Sequence, residues 1–527
     1  MQPLILASFK GTIPRIDPTL LPAHNAQIAK DCDLSKGVVS PSKRPLDTGV
    51  LLLGSTQSVF RYNRESNGGE GFWLQFDADV SVVASPIEDD PYRRVYYTGI
   101  GAPKFTAIDI ATAGDGPYPT AAYDLGIQAP LLAPSVTGPI GDPPDGGIKI
   151  PTSYQYTVVD KYGAEGPPSD VSVAVDRWDG DSVELSNLQV PAGNFVIESI
   201  RIYRIEYNGL YQRVATIPAT QDTFSDTIES AYLGHQVPSD TWLPPNSKMT
   251  GLTELPNGVL MGYWDNTIAF SEPYQPHAWP IEYRHALGSK IVGAAVSDVG
   301  VIVVTESKPY FLVGSHPSSF SEQPIDAIQA GVSKRSVVDL GSVVVFATTE
   351  GLVGPGGVYT AGHIDADEWK ALKPETIHGY RWQDRYLGFY DSGSEQGAFT
   401  FTPSEGFIWY SSYADYGYSD PKTGDVYLMG SGSLLQWATG TDIAYQWKSK
   451  PFENSWGDRP GVAKIRARSY PVTFNYYADG VLRKSLSVAS PASFRLPTAY
   501  HSNFWEVEVT GLNSVTSIQI ARSKSEL

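Results

Sequence analysis

The feature that most limits what this chain can fold into is a repeat. From about residue 250 onward, a turn, a strongly apolar strand and a second strand recur at a period of roughly 40–50 residues, the spacing of propeller blades and similar arrays. One copy runs Leu255-Pro-Asn-Gly-Val-Leu-Met-Gly-Tyr-Trp-Asp-Asn-Thr-Ile-Ala-Phe270 and the next Val296-Ser-Asp-Val-Gly-Val-Ile-Val-Val-Thr305, continuing to Val313. Further copies begin at Asp339, Trp382 and Asp420. A unit of this kind cannot bury its own apolar face, so each copy must pack on its neighbour.

Composition extends the same reading to the rest of the chain. The 527 residues include 50 Gly and 40 Pro spread along the whole length, together with 31 Tyr and 12 Trp. Frequent breakers between aromatic, alternating segments describe many short strands joined by tight turns, an all-β fold. Residues 1–49 carry Pro14, Pro18, Pro22, Pro41 and Pro45 and read as an N-terminal extended arm. The spacing of Ala23, Ala26, Gln27 and Lys30 behind Pro22 predicts one short helix over residues 22–30. Residues 50–130 return to short strands such as Ser58-Val-Phe-Arg-Tyr62 and Phe72-Trp-Leu-Gln-Phe76, the first part of a β-propeller.

A Pro/Gly-rich stretch through residues 129–147 then opens a different domain, 131–241, with strands at Tyr154-Gln-Tyr-Thr-Val-Val-Asp160 and Ser199-Ile-Arg-Ile-Tyr-Arg-Ile-Glu206. A Tyr-rich strand, a Gly-Pro loop and an Ile-Tyr-Arg strand before Asp222-Thr-Phe224 resemble a fibronectin type III sandwich. Residues 242–444 form the remainder of the β-propeller. Residues 445–527 form a C-terminal β-sandwich, with Val472-Thr-Phe-Asn-Tyr-Tyr477 and Phe504-Trp-Glu-Val-Glu-Val509 among its strands. The expected fold is thus a β-propeller split by an inserted fibronectin type III-like sandwich, with a C-terminal β-sandwich.

Charge excludes some functions. With 39 Lys and Arg against 57 Asp and Glu, the formal net charge is −18, so the chain as a whole repels nucleic acid and anionic membranes. The first ten residues lack the basic start of a signal peptide, and no apolar run approaches the roughly 20 residues a membrane helix needs. Synthesis as a soluble product of the cytoplasm, without membrane insertion, is expected. The one cysteine, Cys32, allows no internal disulfide and is expected to serve packing.

Catalytic patterns are missing. The eight His show no His-x-x-x-His spacing, and no nucleophile elbow, phosphate loop or dinucleotide fingerprint appears, so no metal, cofactor or enzyme activity is expected. His363-Ile-Asp-Ala-Asp-Glu368 reads as a polar turn, and Asp265, Asp298 and Asp384 read as turn residues of successive repeats. The basic clusters at Lys43-Arg44 and Lys464-Ile-Arg-Ala-Arg468 stand out, the second alternating so as to put its charges on one strand face, suited to an acidic neighbouring subunit.

The opening residues carry a more specific pattern: Phe9-Lys-Gly-Thr-Ile-Pro14, Leu20-Leu-Pro22, Asp31-Cys-Asp-Leu-Ser-Lys-Gly37 and Lys43-Arg-Pro45. With Gly258-Val-Leu-Met-Gly262, Ser271-Glu-Pro273 and His277-Ala-Trp-Pro280 further on, the chain resembles the tail nozzle proteins of short-tailed bacteriophages, also called tail tubular protein B or packaged-DNA stabilisation proteins. The resemblance implies a structural virion protein at the tip of the tail, made in the host bacterial cytoplasm, that closes the DNA channel after packaging and conducts DNA during ejection. It implies a homohexameric ring beneath an adaptor and portal complex, tail fibres or spikes at its side, and transient contact with phage genomic DNA. On this resemblance Phe9, Gly11, Pro14, Leu21, Pro22, Asp33, Gly37 and Pro45 are expected to form an assembly arm. A different class of function, a glycan-binding or glycan-cleaving propeller for host attachment, is the alternative.

Overall fold

The computed structural model describes residues 3–527 apart from 145, 208, 298–299, 315, 326–328, 342, 431 and 455–458. The fold is all-β: among the described residues the only α-helices are Ile108–Ala111 and Ala366–Ala371. Two compact units are present, one formed by Met1–Val59, Ile291–Val313 and Ser321–Leu527, the other by Phe60–Lys290 with Gly314–Phe320.

The Phe60–Lys290 unit contains two four-stranded antiparallel meanders. One comprises Ser81–Ala84, Val95–Thr98, Lys104–Thr106 and Tyr123–Asp124, the other Thr250–Glu254, Leu260–Trp264, Thr267–Phe270 and Arg284–Ala286. They share a core in which Tyr96 and Phe105 of the first meet Leu252, Leu260 and Ala269 of the second. Between them in sequence lie a three-stranded sheet (Ser135–Thr137, Val183–Ser186, Phe224–Asp226) and a four-stranded sheet (Val175–Arg177, Ile150–Asp160, Ile197–Glu206, Gln212–Pro218). Val183 and Leu185 of the smaller sheet pack on Tyr154, Tyr156, Ile200 and Ile202 of the larger, so alternate residues of both inner faces make one core. The first of the seven strands pairs with the fourth, and the fourth with the seventh, which differs from the ABED and CFG grouping of an immunoglobulin sandwich.

That core encloses charge. Arg204 is fully buried and its guanidinium pairs with Asp226 at 2.6 Å and Glu206 at 2.8 Å, while buried Arg177 reaches Glu206 at 2.9 Å. The Tyr154 hydroxyl donates to the same Asp226 carboxylate. Each arginine needs its carboxylates because an unpaired charge in this interior would cost several kcal/mol.

The other unit continues the series. Meanders run through Ile291–Ser297, Gly300–Thr305, Tyr310–Val313 and Ser321–Pro324, then Val338–Asp339, Val344–Ala347, Leu352–Gly354 and Gly357–Val358, then His378–Trp382, Arg385–Asp391, Gln396–Thr402 and Gly406–Tyr410. Consecutive meanders bury their apolar strands against each other: Ile302 and Val304 on Val344 and Phe346, and Val345 and Leu352 on Tyr386 and Phe399. A last sheet, Tyr416–Ser419, Val426–Gly430 and Ser433–Gln436, takes its fourth strand, Leu46–Leu51, from the start of the chain.

Two further sheets face each other at the C-terminal end. One orders Leu4–Leu6, Val515–Ala521, Val462–Ala467 and Phe494–Arg495; the other includes Tyr445–Ser449, Phe504–Gly511, Val472–Ala478 and Val481–Val488. Ile465, Ile518 and Ile520 of the first pack on Phe474, Val507 and Val509 of the second.

The helix expected over residues 22–30 is not formed. Residues 26–30 are a β-strand that pairs antiparallel with Tyr445–Ser449 and, at Lys30, parallel with Gly406–Tyr410, which joins the third meander and the C-terminal strands into one sheet. The five residues Ala-Gln-Ile-Ala-Lys have helical propensity, but a ladder on both edges satisfies their backbone groups and buries Ala26 and Ala29.

Candidate functional site

The N-terminal segment is extended and is anchored along its length within its own unit. Phe9 is buried and packs edge-on against Trp447, ring centroids 4.8 Å apart. The Trp447 indole N–H donates to the carbonyl of Lys10 at 3.1 Å, and the Phe9 N–H to the carbonyl of Gly37 at 3.2 Å. Gly37 has φ 69°, a conformation that suits glycine, and closes the turn that the Asp33 carboxylate starts by accepting the Ser35 N–H at 2.9 Å.

Gly11 is required sterically. Its N–H donates to the Glu405 carbonyl at 2.8 Å, its carbonyl accepts from Asn25, and a Cβ at this position would collide with the carbonyl oxygen of Phe407. Next to it Thr12 exchanges backbone hydrogen bonds with Phe407, and its hydroxyl accepts the Trp409 indole N–H at 3.1 Å. Leu21 is buried, and its carbonyl accepts from the Lys450 ammonium at 2.7 Å.

Of the other arm residues, Pro14 and Pro45 are half-buried and Pro22 is exposed. Phe9, Gly11, Leu21 and Gly37 are thus brought to one seam, while Pro14 lies in a turn and Pro22 and Pro45 in irregular backbone beside it. The seam also depends on Trp447 and Trp409, which carry no motif signal, and on Asp31 of the opening pattern, whose carboxylate accepts the N–H and hydroxyl of Ser411 at 2.8 and 3.1 Å. Asp31 adopts φ 53°, a left-handed conformation that Asp tolerates better than most residues. The partners of the two tryptophans lie hundreds of residues away, so no local pattern could single them out.

Side chains with chemical potential are engaged structurally. The Cys32 thiol is fully buried; burial first, and the flanking Asp31 and Asp33 second, push its pKa far above the usual range, so it is no nucleophile. Asp365 caps the Ala366–Ala371 helix by accepting the N–H groups of Asp367 and Glu368 at 2.9 and 2.8 Å. Asp265 and Asp384 have φ 45° and 58° in tight hairpin turns, as their sequence context predicts; Asp298 lies outside the described residues. Among the described residues, no three His, Cys, Asp or Glu gather in a way that could hold a metal ion.

One small pocket in the Phe60–Lys290 unit collects titratable groups: Arg94, Tyr96, Asp160 and His277, beside Phe105 and Ile127. Burial raises the Asp160 carboxyl to about 6 against the opposing N–H groups of Ala164 and Tyr162, and burial with the nearby Arg94 charge lowers His277 to about 4. Asp160 holds the loop that follows its strand, accepting those N–H groups at 2.8 and 2.9 Å. The arrangement presents no nucleophile–base pair.

No protein-family model matches the chain, and no curated protein does. Among solved structures, a CNH domain of AfRom2 is similar over 62% of this chain and 94% of its own, at 10% identity and a TM-score of 0.26. The extracellular domain of BT4673 from B. thetaiotaomicron covers 93% of this chain and 79% of its own length at 11% identity and a TM-score of 0.20. PorZ, a bacterial surface component of the type-IX secretion system of Porphyromonas gingivalis, covers 79% and 44% at 10% identity and a TM-score of 0.17. Scores this low establish no common fold.

Proposed function

We propose that this chain is a structural virion protein, the nozzle at the tip of a short phage tail, which closes the DNA channel after packaging and conducts DNA during ejection. The observation that carries this reading is where the family-like opening pattern falls. Phe9, Gly11 and Leu21 fasten the N-terminal segment to Trp447, Glu405 and Lys450, more than 390 residues later, and Gly37 holds Phe9 in place from within the segment. A pattern shared for a structural reason should sit on such positions.

The successive meanders would be the blades of a β-propeller. Supporting this, neighbouring meanders within each unit bury their strands on each other, and Leu46–Leu51 completes the sheet that ends at Ser433–Gln436, which would close a ring of blades. The two-sheet segment within 131–241 would be the inserted sandwich, and residues 445–527 the terminal one. The surplus of carboxylates suits a conduit from which DNA must slide free.

Mass measurement and imaging of the concentrated protein with its tail adaptor test the proposal. A ring of six copies beneath the adaptor is expected, and a chain that stays monomeric would overturn it. Specific binding or turnover of a polysaccharide, read by released sugar, would instead favour the attachment function.

A further inference from the structure

Charge is distributed unevenly in this acidic chain. Residues 445–527 contain eleven Lys and Arg against six Asp and Glu, whereas residues 131–241 contain six against fifteen. The basic surplus is organised by the sheet Leu4–Leu6, Val515–Ala521, Val462–Ala467, Phe494–Arg495. Ala463 and Ile465 point into the core, fully buried, so Lys464 between them and Arg466 after them point outward. Phe494 packs on the same core and leaves Arg495, opposite Val462, on the outer face. Ile5, opposite Gln519 on the neighbouring strand, adds an apolar side chain that is 51% exposed.

Lys464, Arg466 and Arg495 form no ion pair with any described residue. That contrasts with Arg177, Arg204 and Arg385, each neutralised by a carboxylate. The outer face of this sheet therefore carries three cations and an exposed apolar residue, on a chain whose net charge is −18.

We propose that this face docks against a second copy of the same chain, at the acidic end of its two-sheet segment where Asp181 and Glu229 flank the Asp179–Ser230 contact. Asp179 accepts the Ser230 N–H at 3.2 Å, which brings the 178–181 turn and Glu229 together. Asp179 is engaged by Arg177 at 2.9 Å, while Asp181 and Glu229 form no ion pair with a described residue. Every copy carries both surfaces, so the complementary partner is always present. Duplex DNA is the less favoured occupant, because the rest of the molecule repels a polyanion. Since the two surfaces differ, the contact is head-to-tail, and repetition gives a closed ring or an open filament rather than a two-fold dimer. This inference stands apart from the nozzle reading: it concerns which surfaces meet, whatever the assembly is for.

The test is sedimentation of the full chain, concentrated and at low ionic strength, for the wild type, K464E/R466E/R495E, D181K/E229K, and the two variant sets mixed. Self-association is expected in the wild type, weakened at least about tenfold by either charge reversal and restored in the mixture. Unchanged association in both variants, failure of the mixture to recover, or a monomeric wild type overturns the proposal. Circular dichroism and retained urea midpoints separate loss of contact from loss of fold. A gel shift of duplex DNA that K464E/R466E/R495E abolishes, with self-association intact, would reassign the face to nucleic acid. An assembly that forms through other surfaces would sink this inference and leave the nozzle reading standing.

Discussion

The indole N–H of Trp447 donates a hydrogen bond to the carbonyl oxygen of Lys10, 437 residues earlier in the chain, at 3.1 Å, and the same indole lies edge-on to Phe9. The two residues fasten the beginning of the chain to the beginning of its C-terminal strands. Around them Gly11 lies so close to Phe407 that a methyl group cannot be accommodated.

Truncating this seam should destabilise the unit that contains it. Phe9→Ala is expected to cost about 3–5 kcal/mol, the usual range for removing a buried aromatic ring. Gly11→Ala should cost about 1–3 kcal/mol, because backbone rather than a flexible side chain blocks the new methyl group. Urea unfolding followed by circular dichroism measures both. A G11A midpoint equal to the wild type would show that the seam can relax.

The buried Arg204–Asp226 pair gives a second expectation. Asp226→Ala leaves Arg204 with Glu206 but strips the carboxylate that both Arg204 and the Tyr154 hydroxyl use, at a cost of about 3–5 kcal/mol. Replacing Arg204 and Asp226 together by apolar residues of similar volume should cost less than D226A alone. A double-mutant cycle in chemical denaturation shows whether the charge or the shape matters.

Acid should weaken the fold through two histidines. His378 is buried, stacked on Phe389 at 5.0 Å, and its Nε2 donates to the Ala414 carbonyl at 2.8 Å, so its Nδ1 accepts from the Tyr380 hydroxyl at 3.0 Å. Burial lowers His378 and His277 from 6.5 to about 4. The unfolded chain therefore binds more protons, and the stability each neutral imidazole contributes is complete above pH 6.5 and lost as pH falls toward 4. Asp160, raised from 3.8 to about 6, acts oppositely: its contribution is complete below 3.8 and lost as pH rises through 6. Glu254 and Glu368, also raised by burial, act in the sense of Asp160, but the two histidines carry the largest shifts in this range, so stability should fall from pH 7 to pH 4.5. His378→Gln should flatten that slope in urea titrations at the two pH values, and an unchanged slope would exclude His378 as a source.

Cys32 should be inert. With its thiol fully buried and held protonated, the native protein should take up no thiol reagent over hours and one equivalent on denaturation. Labelling in the native state at a rate matching unfolding would locate the opening event in the seam.

Much of the strand content was legible because its cause is local. Tyr154 to Asp160 and Val472 to Tyr477 alternate side chains at the period of a pleated sheet, and both lie in strands; the Asp265 and Asp384 turns announce themselves by residue type. Residues 26–30 depart from their local preference for a complementary reason. Ala, Gln and Lys suit a helix when judged alone, and the ladders with Tyr445–Ser449 and Gly406–Tyr410 that override this preference are absent from any local window.

The sequence by itself thus determined that the chain is β-stranded, where many of its turns fall, and that Lys464 and Arg466 share one strand face. Only the tertiary structure decided that Leu46–Leu51 completes the sheet ending at Ser433–Gln436, that Phe9 meets Trp447, and that Arg495 and Ile5 join Lys464 on one surface. The physical reason is that side-chain alternation is a property of successive residues, whereas a strand's partner is chosen by backbone hydrogen bonds and burial between segments that the sequence keeps far apart.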